Sequence, residues 1–250
     1  MKIFVINLER DHLRYANINE QLKSLSLDFE LITAIDGKAL TPGQLAEDYD
    51  ENAALLRIAR KMTPSEIGCA LSHLRAYQNL ISSNEERCLI LEDDVELPTD
   101  LPNMLLQLTP LLDVKEPRVC LLSPATSRSR SRPVGEFMGY KVKPFADGYF
   151  TSSYLINKSA AKRLHEYLYP VSDVADCWKR LHDRKVVQIF NTDPAFILQN
   201  QLEFGSSTTN DHRALEATQS GFSHKAVYKA RRLRSIFLDF CRKIFAKVSR

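Results

Sequence analysis

The stretch Cys88-Leu89-Ile90-Leu91-Glu92-Asp93-Asp94-Val95 places four apolar residues directly before three consecutive carboxylates. A short apolar run of this kind is typical of a strand buried in a parallel sheet. In open α/β sheets, ligands bind beyond the carboxyl ends of such strands. Neighbouring acids repel one another unless solvent, a cation or a basic group compensates their charge. The stretch therefore favours either a divalent-cation site or a solvated turn whose acids cap the next segment.

Strand-like and helical segments alternate along the rest of the chain, and this alternation predicts a layered α/β fold. Apolar runs predict strands at 2–6, 29–34, 87–91, 119–123, 149–156 and 186–190. Helical spacing of apolar residues predicts helices at 10–25, 65–82, 102–112 and 158–168, and helical turns at 42–59. Thr63-Pro64-Ser65-Glu66 has the composition of a helix start, with Thr63 as the cap and Glu66 completing a capping box.

Length and composition limit the class of protein. The 250 residues suffice for one large domain or for a domain with an appendage, and no apolar run is long enough to span a bilayer. The five cysteines are scattered, odd in number and without metal-ligand spacing among themselves, which argues against a disulfide framework or a cysteine-based zinc site. The first residues lack the form of a signal peptide. Together these features predict a protein of the reducing cytoplasm.

The positive charge is concentrated at the C-terminus. Residues 224–250 hold nine Lys or Arg and one acid, Asp239, whereas the rest of the chain holds more acids than bases. Apolar residues recur there at helical spacing, from Leu233 to Val248. We therefore divide the chain into a domain at 1–222 and a basic amphipathic helix at 223–250. That helix is expected to lie on an anionic membrane surface, with docking on the body as the alternative. No nucleic-acid-binding motif accompanies the charge, so no nucleic-acid partner is expected.

Four features stand in a fixed order along the chain: Ile6-Asn7-Leu8-Glu9-Arg10-Asp11-His12-Leu13-Arg14; Ala34-Ile35-Asp36-Gly37; Ser65-Glu66-Ile67-Gly68-Cys69-Ala70-Leu71-Ser72-His73 followed by the acidic stretch; and Gly148-Tyr149-Phe150-Thr151-Ser152-Ser153-Tyr154-Leu155-Ile156 followed by Pro170-Val171-Ser172-Asp173. In combination, over about residues 1–205, they resemble glycosyltransferase family 25, the bacterial lipopolysaccharide or lipooligosaccharide glycosyltransferases, whose relatives include collagen galactosyltransferase domains. The resemblance implies a Rossmann-like nucleotide-sugar-binding fold of the GT-A type. It also implies inverting transfer, commonly from UDP-galactose.

This resemblance gives the acidic stretch a chemical role. A sugar nucleotide presents a diphosphate leaving group, and a divalent cation on its oxygens neutralises the charge that develops as the glycosidic bond breaks. Carboxylate ligands suit Mn²⁺ or Mg²⁺. If the backbone stays extended through the acids, Glu92 and Asp94 share one face. Asp94 is then the expected principal metal ligand with Glu92 beside it, and Glu92 or Asp93 is expected to contact the ribose or a coordinated water.

The other candidate donor-binding residues follow predicted strands or lie on the 65–82 helix. Arginine suits phosphate because its planar donors make bidentate contacts, an aspartate after a strand can accept a ribose hydroxyl or the uracil NH, and a helical histidine suits a diphosphate-binding or architectural role. Each also has an ordinary structural alternative: an exposed helix start, a turn or a packed histidine. The candidates are Asn7, Arg10, Arg14, Asp36, His73 and Gln199.

Inverting transfer requires a base that takes the proton of the acceptor hydroxyl. Two carboxylates after the 158–168 helix are candidates, Asp173 and Asp176. Asp173 fits the family spacing slightly better, although Ser172 interrupts the usual pattern. The alternative for both acids is a solvated or helix-capping position.

The sequence thus predicts an inverting hexosyltransferase that moves galactose from a UDP-sugar donor onto a lipid-linked lipooligosaccharide or lipopolysaccharide core. The expected location is the inner face of the bacterial cytoplasmic membrane, with peripheral attachment through the basic helix. Two other functions are alternatives, the first using the same acidic cluster and the second relying on the basic tail. One is a metal-dependent phosphohydrolase, which needs no acceptor sugar. The other is a non-catalytic sugar-binding or membrane-scaffolding protein.

Overall fold

The computed structural model of the protein describes residues 1–112, 115–126 and 129–200. Within these residues the strands are β1 (Lys2–Asn7), β2 (Glu30–Thr33), β3 (Arg87–Glu92), β4 (Val95–Glu96), β5 (Arg118–Leu121), β6 (Gly135–Phe137), β7 (Tyr140–Pro144), β8 (Ser153–Asn157), β9 (Gln188–Asp193) and β10 (Leu198–Gln199). The helices are α1 (His12–Ser24), α2 (Pro42–Asp48), α3 (Glu51–Ile58), α4 (Pro64–Ser82), α5 (Leu101–Leu108), α6 (Lys158–Leu168) and α7 (Trp178–Asp183).

Eight strands form one mixed sheet in the order β2-β1-β3-β8-β5-β9-β7-β6, and β4 pairs separately with β10. β1 runs parallel to both β2 and β3, whereas β8 is antiparallel to its neighbours β3 and β5. The carboxyl ends of β1, β2 and β3 therefore meet at the same edge as the beginning of β8. The predicted α/β class is confirmed.

β3 is the buried strand that its apolar run predicted. Cys88, Leu89, Ile90 and Leu91 are fully buried, and the strand lies between β1 and β8 in the sheet. β3 ends at Glu92, however, and Asp93 and Asp94 form a turn before β4. An extended backbone through all three acids, the condition under which Glu92 and Asp94 would share one face, is therefore not met, because the chain turns after Glu92.

Apolar side chains cover both faces of the sheet, so the sheet is the middle layer of the fold. One face packs on α4, α6 and α7 through residues that include Leu74, Leu164 and the fully buried Trp178. The other face packs on α1 and α5, with Ile18 and Leu105 among the buried residues. The carboxyl ends of β1 to β3 are left open between these two helical layers.

α4 begins as its sequence predicted. The Thr63 hydroxyl accepts from the Glu66 backbone N–H at 3.2 Å, and the Glu66 carboxylate accepts from the Thr63 backbone N–H at 3.0 Å. The helix then packs closely on the loop after β2, since a Cβ on Gly68 would lie 2.4 Å from the carbonyl oxygen of Ile35. Ser72 accepts from the Ile35 backbone N–H at 2.8 Å. α4 and the loop that carries Asp36 are therefore held together as a unit.

Other elements differ from the sequence prediction or fall outside the description. The predicted strand at 149–156 is shorter, because β8 begins only at Ser153. The β6–β7 hairpin and α7 were not predicted. The domain boundary at 222 and the basic helix at 223–250 lie outside the described residues. Among the described helices, none combines the length and apolar character that crossing a membrane requires.

Candidate active-site cleft

A cleft of about 530 Å³ opens at the carboxyl edge of β1, β2 and β3. Its walls come from the loops after these strands, the first turns of α4, the segment before β8 and the segment before α7. Most of the predicted site residues line it, namely Arg10, Arg14, Asp36, His73, Glu92, Asp93, Asp94, Asp176 and Gln199. Asn7 and Asp173 are buried and do not line the cleft.

Glu92 is held from two sides at the end of β3. The Thr151 hydroxyl donates to Oε1 at 2.6 Å, and His73 Nε2 lies 3.2 Å from the same oxygen. Burial raises the pKa of Glu92, but the contacts with His73, Thr151 and Arg14 outweigh it and hold the pKa below its usual value. Glu92 is therefore a fixed, ionised acceptor.

Asp93 and Asp94 both face Arg14 of α1. The Arg14 guanidinium lies 3.3 Å from Oδ1 of Asp93 and 3.5 Å from Oδ2 of Asp94. Asn7 donates its side-chain amide to Asp93 at 2.6 Å. Asn7 thus positions an acid of the cleft from behind. The single positive charge of Arg14 therefore partly compensates the two adjacent carboxylates.

Asp94 is the acid least compensated by its surroundings. Burial, with the neighbouring Glu92 charge, raises the pKa of Asp94 to about 6, although Arg14 lowers it. Gln199 lies on the far side, with its amide 3.4 Å from Oδ1. A cation at this carboxylate would favour its ionised form. The turn therefore has both the ligand type and the unbalanced charge that a divalent cation compensates.

Arg10 and Asp36 pair with each other across the mouth of the cleft. The Arg10 guanidinium donates to one Asp36 oxygen, and the Lys38 backbone N–H donates to the other at 3.1 Å. Both side chains are partly exposed. An ion pair thus joins the loops after β1 and β2. Because the Arg10 donors remain reachable from solvent, an incoming anionic ligand can replace Asp36 as the partner of Arg10.

The two candidate bases have different surroundings. The Asp173 side chain is fully buried and accepts two hydrogen bonds from Arg180 of α7, one of them at 2.9 Å. Asp176 lies three residues further on and lines the cleft. The family spacing favours Asp173, but the geometry gives it a structural role in anchoring α7. Asp176 is the acid of the two that an acceptor hydroxyl can reach.

Two aromatic side chains stand at the mouth of the cleft. Tyr149 is 53% exposed and Phe150 is 36% exposed, and both line it. Trp178 instead belongs to the core, where its indole N–H donates to the Phe150 carbonyl at 3.0 Å. Exposed aromatic rings at a cleft mouth suit the apolar face of a sugar.

Cys69 lines the cleft but is not among the site residues that the sequence predicted. It lies on α4 one turn before His73, and both line the cleft with Glu92. The spacing of four residues between Cys69 and His73 was the signal that would have placed them on one face of the helix.

The cleft thus combines two arginines, an acidic turn and a separate carboxylate. Arginines suit phosphate oxygens, paired acids suit a divalent cation, and a reachable carboxylate suits proton transfer. The arrangement can bind an anionic nucleotide and place a base near a second substrate.

Comparison with known proteins agrees with this chemistry. The profile of Glycosyltransferase family 25 (LPS biosynthesis protein) matches residues 1–178. Over 96 residues the chain is 35% identical to a glycosyltransferase 25 family member of Aedes aegypti, and this alignment covers 37% of the chain and 16% of that protein. Over 115 residues it is 32% identical to procollagen galactosyltransferase 2 of Homo sapiens, and this alignment covers 45% of the chain and 18% of that protein. The chain therefore spans less than a fifth of the length of these relatives.

One solved structure is a glycosyltransferase involved in the glycosylation of the major capsid of PBCV-1. It aligns with a TM-score of 0.41 and 12% identity, and the alignment covers 86% of this chain and 98% of that one. The family assignment rests on the profile match, which includes β1 to β3, the acidic turn, α4 and both candidate bases. The chain belongs to glycosyltransferase family 25.

Proposed function

We propose that this chain is an inverting glycosyltransferase that transfers galactose from UDP-galactose to an acceptor hydroxyl with a divalent cation. The observation that carries the proposal is the meeting of Arg10, Arg14, the acidic turn and Asp176 in one cleft. Membership of the family supports glycosyl transfer. The galactosyltransferase named among the relatives supports galactose as the sugar.

Asp94 and Asp93 are the residues proposed to hold the cation, with Glu92 next to them. Their carboxylate oxygens match the ligands that Mg²⁺ and Mn²⁺ prefer. The Arg14 guanidinium within 3.5 Å of both carboxylates already shows that a positive charge is accommodated there. When bound, the cation would neutralise charge on the diphosphate as it departs.

The chain's own residues account for the remaining steps. Arg10 and Arg14 bind the diphosphate oxygens, and Asp36 accepts a ribose hydroxyl once Arg10 turns to the phosphate. Asp176 takes the proton of the acceptor hydroxyl as that oxygen attacks the anomeric carbon. The bond from the anomeric carbon to the diphosphate oxygen breaks on the opposite side, so UDP leaves and the configuration inverts.

We further propose a lipid-linked lipooligosaccharide or lipopolysaccharide core as the acceptor, reached at the cytoplasmic face of a bacterial inner membrane. The family description names lipopolysaccharide biosynthesis, and the basic, apolar segment 223–250 has a composition suited to anionic lipid. Removal of residues 226–250 should weaken binding to anionic vesicles and leave transfer to a soluble acceptor unchanged. Undiminished vesicle binding would contradict the membrane assignment.

The catalytic assignment is tested with UDP-galactose, Mn²⁺ and a lipooligosaccharide acceptor, by measuring UDP release and the mass of the product. We expect UDP release that depends on the acceptor, that stops when the metal is chelated and that disappears in Asp94→Asn. Asp100→Asn, which removes an exposed carboxylate elsewhere, is the matched control and should keep full activity. Release of phosphate without acceptor would identify a phosphohydrolase, and binding without turnover would identify a sugar-binding protein.

A further inference from the structure

Three side chains with metal-binding chemistry meet in the cleft beside the acidic turn. The Cys69 thiol, the His73 imidazole and the Glu92 carboxylate each bring a ligand atom within 4.8 Å of the other two. Cys69 and His73 lie on one face of α4 because they are one turn apart, and Glu92 is placed by the end of β3. A sulfur, a nitrogen and an oxygen donor together suit Zn²⁺ rather than Mg²⁺ or Mn²⁺.

The hydrogen bonds around His73 also direct its Nε2 nitrogen towards Glu92. Tyr154 donates to the Tyr77 oxygen at 3.1 Å, so the Tyr154 oxygen accepts from His73 Nδ1 at 2.7 Å. The Nε2 nitrogen then faces Oε1 of Glu92 across 3.2 Å. A cation bound by these two atoms would take the place of the proton that they share, as happens whenever a histidine becomes a metal ligand.

The surroundings hold the three side chains in place. His73 is buried, with 2% of its surface exposed, and its Nδ1 has a fixed partner in the core. Thr151 orients Glu92 through a hydrogen bond of 2.6 Å. Cys69 is half-buried and so reachable from the cleft. A ligating histidine whose other nitrogen is held by a hydrogen-bond partner is the usual arrangement in protein metal sites.

We propose that Cys69, His73 and Glu92 form a Zn²⁺ site that is distinct from the oxygen-ligand site proposed at Asp93 and Asp94. Three protein ligands leave a fourth tetrahedral position for water or an anion. As the sulfur–zinc bond forms, the Cys69 thiol gives its proton to solvent. The site concerns metal binding by the protein alone, so it stands or falls independently of the transfer reaction.

Cobalt provides the test, because Co²⁺ bound by a thiolate absorbs by charge transfer and tetrahedral Co²⁺ has intense visible bands. The metal-free full-length protein is titrated with Co²⁺ and its absorption recorded. We expect one equivalent of Co²⁺ to produce a thiolate charge-transfer band and Zn²⁺ to abolish it by displacement. Cys69→Ala should lack the band, and the matched cysteine control Cys241→Ser should retain it. Circular dichroism checks that both variants are folded, and Cys69→Ser repeats the test with a side chain closer in shape to cysteine.

Two further variants separate this site from its neighbours. Tyr154→Phe removes the partner of His73 Nδ1 and should weaken Co²⁺ binding by about 10–100-fold. Asp94→Asn leaves the three ligands intact and should keep the charge-transfer band. The proposal is overturned if Co²⁺ binds the wild-type protein without a thiolate band, if the band persists in Cys69→Ala, or if Asp94→Asn removes it.

Discussion

At the scale of single residues, the three consecutive acids have three different surroundings. Glu92 is held by Thr151 and His73, Asp93 by Asn7 and Arg14, and Asp94 by Arg14 with Gln199 nearby. Their pKa values differ for this reason: the pKa of the Glu92 carboxylate is lowered and that of Asp94 is raised. Neighbouring carboxylates thus have different pKa values because the fold gives them different partners.

The two candidate bases can be told apart by mutation. Asp176→Asn should lower kcat by about 10²–10⁴-fold, because the base is lost, and should change stability less than Asp173→Asn does, because Asp176 is less buried. Asp173→Asn should lower the free energy of unfolding by about 1–3 kcal/mol, because the Arg180 guanidinium loses the buried carboxylate to which it donates charge-assisted hydrogen bonds. Steady-state kinetics and urea unfolding of both variants provide the check. A large kcat loss in Asp173→Asn at full stability, with Asp176→Asn active, would reverse the assignment.

The cysteines should differ in reactivity. Burial raises the pKa of Cys120 to about 12 and keeps the pKa of Cys88 and Cys177 well above the usual thiol range. Cys69 is half-buried at the cleft. Iodoacetamide should therefore alkylate Cys69 in the folded protein and the other three only after unfolding, since the thiolate is the reactive form.

Peptide mass spectrometry after timed alkylation measures this order. Cys241 lies outside the described residues and is followed separately in the Cys241→Ser variant. Alkylation of Cys88, Cys120 or Cys177 at the rate of Cys69 in the folded protein would contradict the burial that the structure assigns to them.

At the scale of elements, the cleft depends on how closely α4 approaches the loop after β2. A Cβ on Gly37 would lie 1.6 Å from the Pro64 carbonyl oxygen, and one on Gly68 would lie 2.4 Å from that of Ile35. Real Cβ atoms do not tolerate such distances to backbone, so both glycines are needed for this contact. The same contact holds the loop that carries Asp36 against α4, which carries His73, and both side chains line the cleft.

Gly68→Ala should therefore destabilise the protein by about 3 kcal/mol, at the upper end of the cost of overpacking. The matched control is Gly43→Ala on α2, where a Cβ meets nothing within 4 Å. This control should stabilise the protein by about 0.4–1 kcal/mol by reducing the entropy of the unfolded chain. Urea unfolding of both variants gives the two values. Equal stabilities would show that α4 does not touch the loop as described.

At the scale of the whole molecule, the site is assembled from segments far apart in the chain. The strand order places β1 between β2 and β3, and β8 beside β3. Four loops consequently meet at one edge, although they come from residues near 8, 35, 93 and 150. A ligand that contacts all four loops binds only the folded protein, because the unfolded chain has no such site.

Ligand binding should therefore stabilise the whole protein. UDP with Mn²⁺ at about 100 times its Kd should add about 2.7 kcal/mol to the free energy of unfolding. Asp94→Asn should lose most of this gain, whereas the exposed variant Asp100→Asn should keep it. Thermal unfolding with and without UDP and Mn²⁺ measures the effect. An equal gain in Asp94→Asn would exclude that carboxylate from the nucleotide–metal site.

Local features of the sequence determined much of the fold. The apolar run before the acids predicted a buried strand with a polar end, and the Thr63–Glu66 pattern predicted the start of α4. Alternating apolar periodicities predicted the α/β class. These features could be recognised because strand burial, capping and helical faces depend on residues close together in the chain.

The tertiary structure alone decided the pairings within the site. The turn after Glu92 means that Glu92 and Asp94 do not share one face of an extended strand. Asp173 is buried against Arg180, whereas Asp176 lines the cleft. The end of β3 places Glu92 beside Cys69 and His73. Each of these outcomes depends on contacts between residues distant in sequence or on the point where strand pairing stops. Composition and spacing identify which side chains are available for chemistry, whereas packing determines which of them meet.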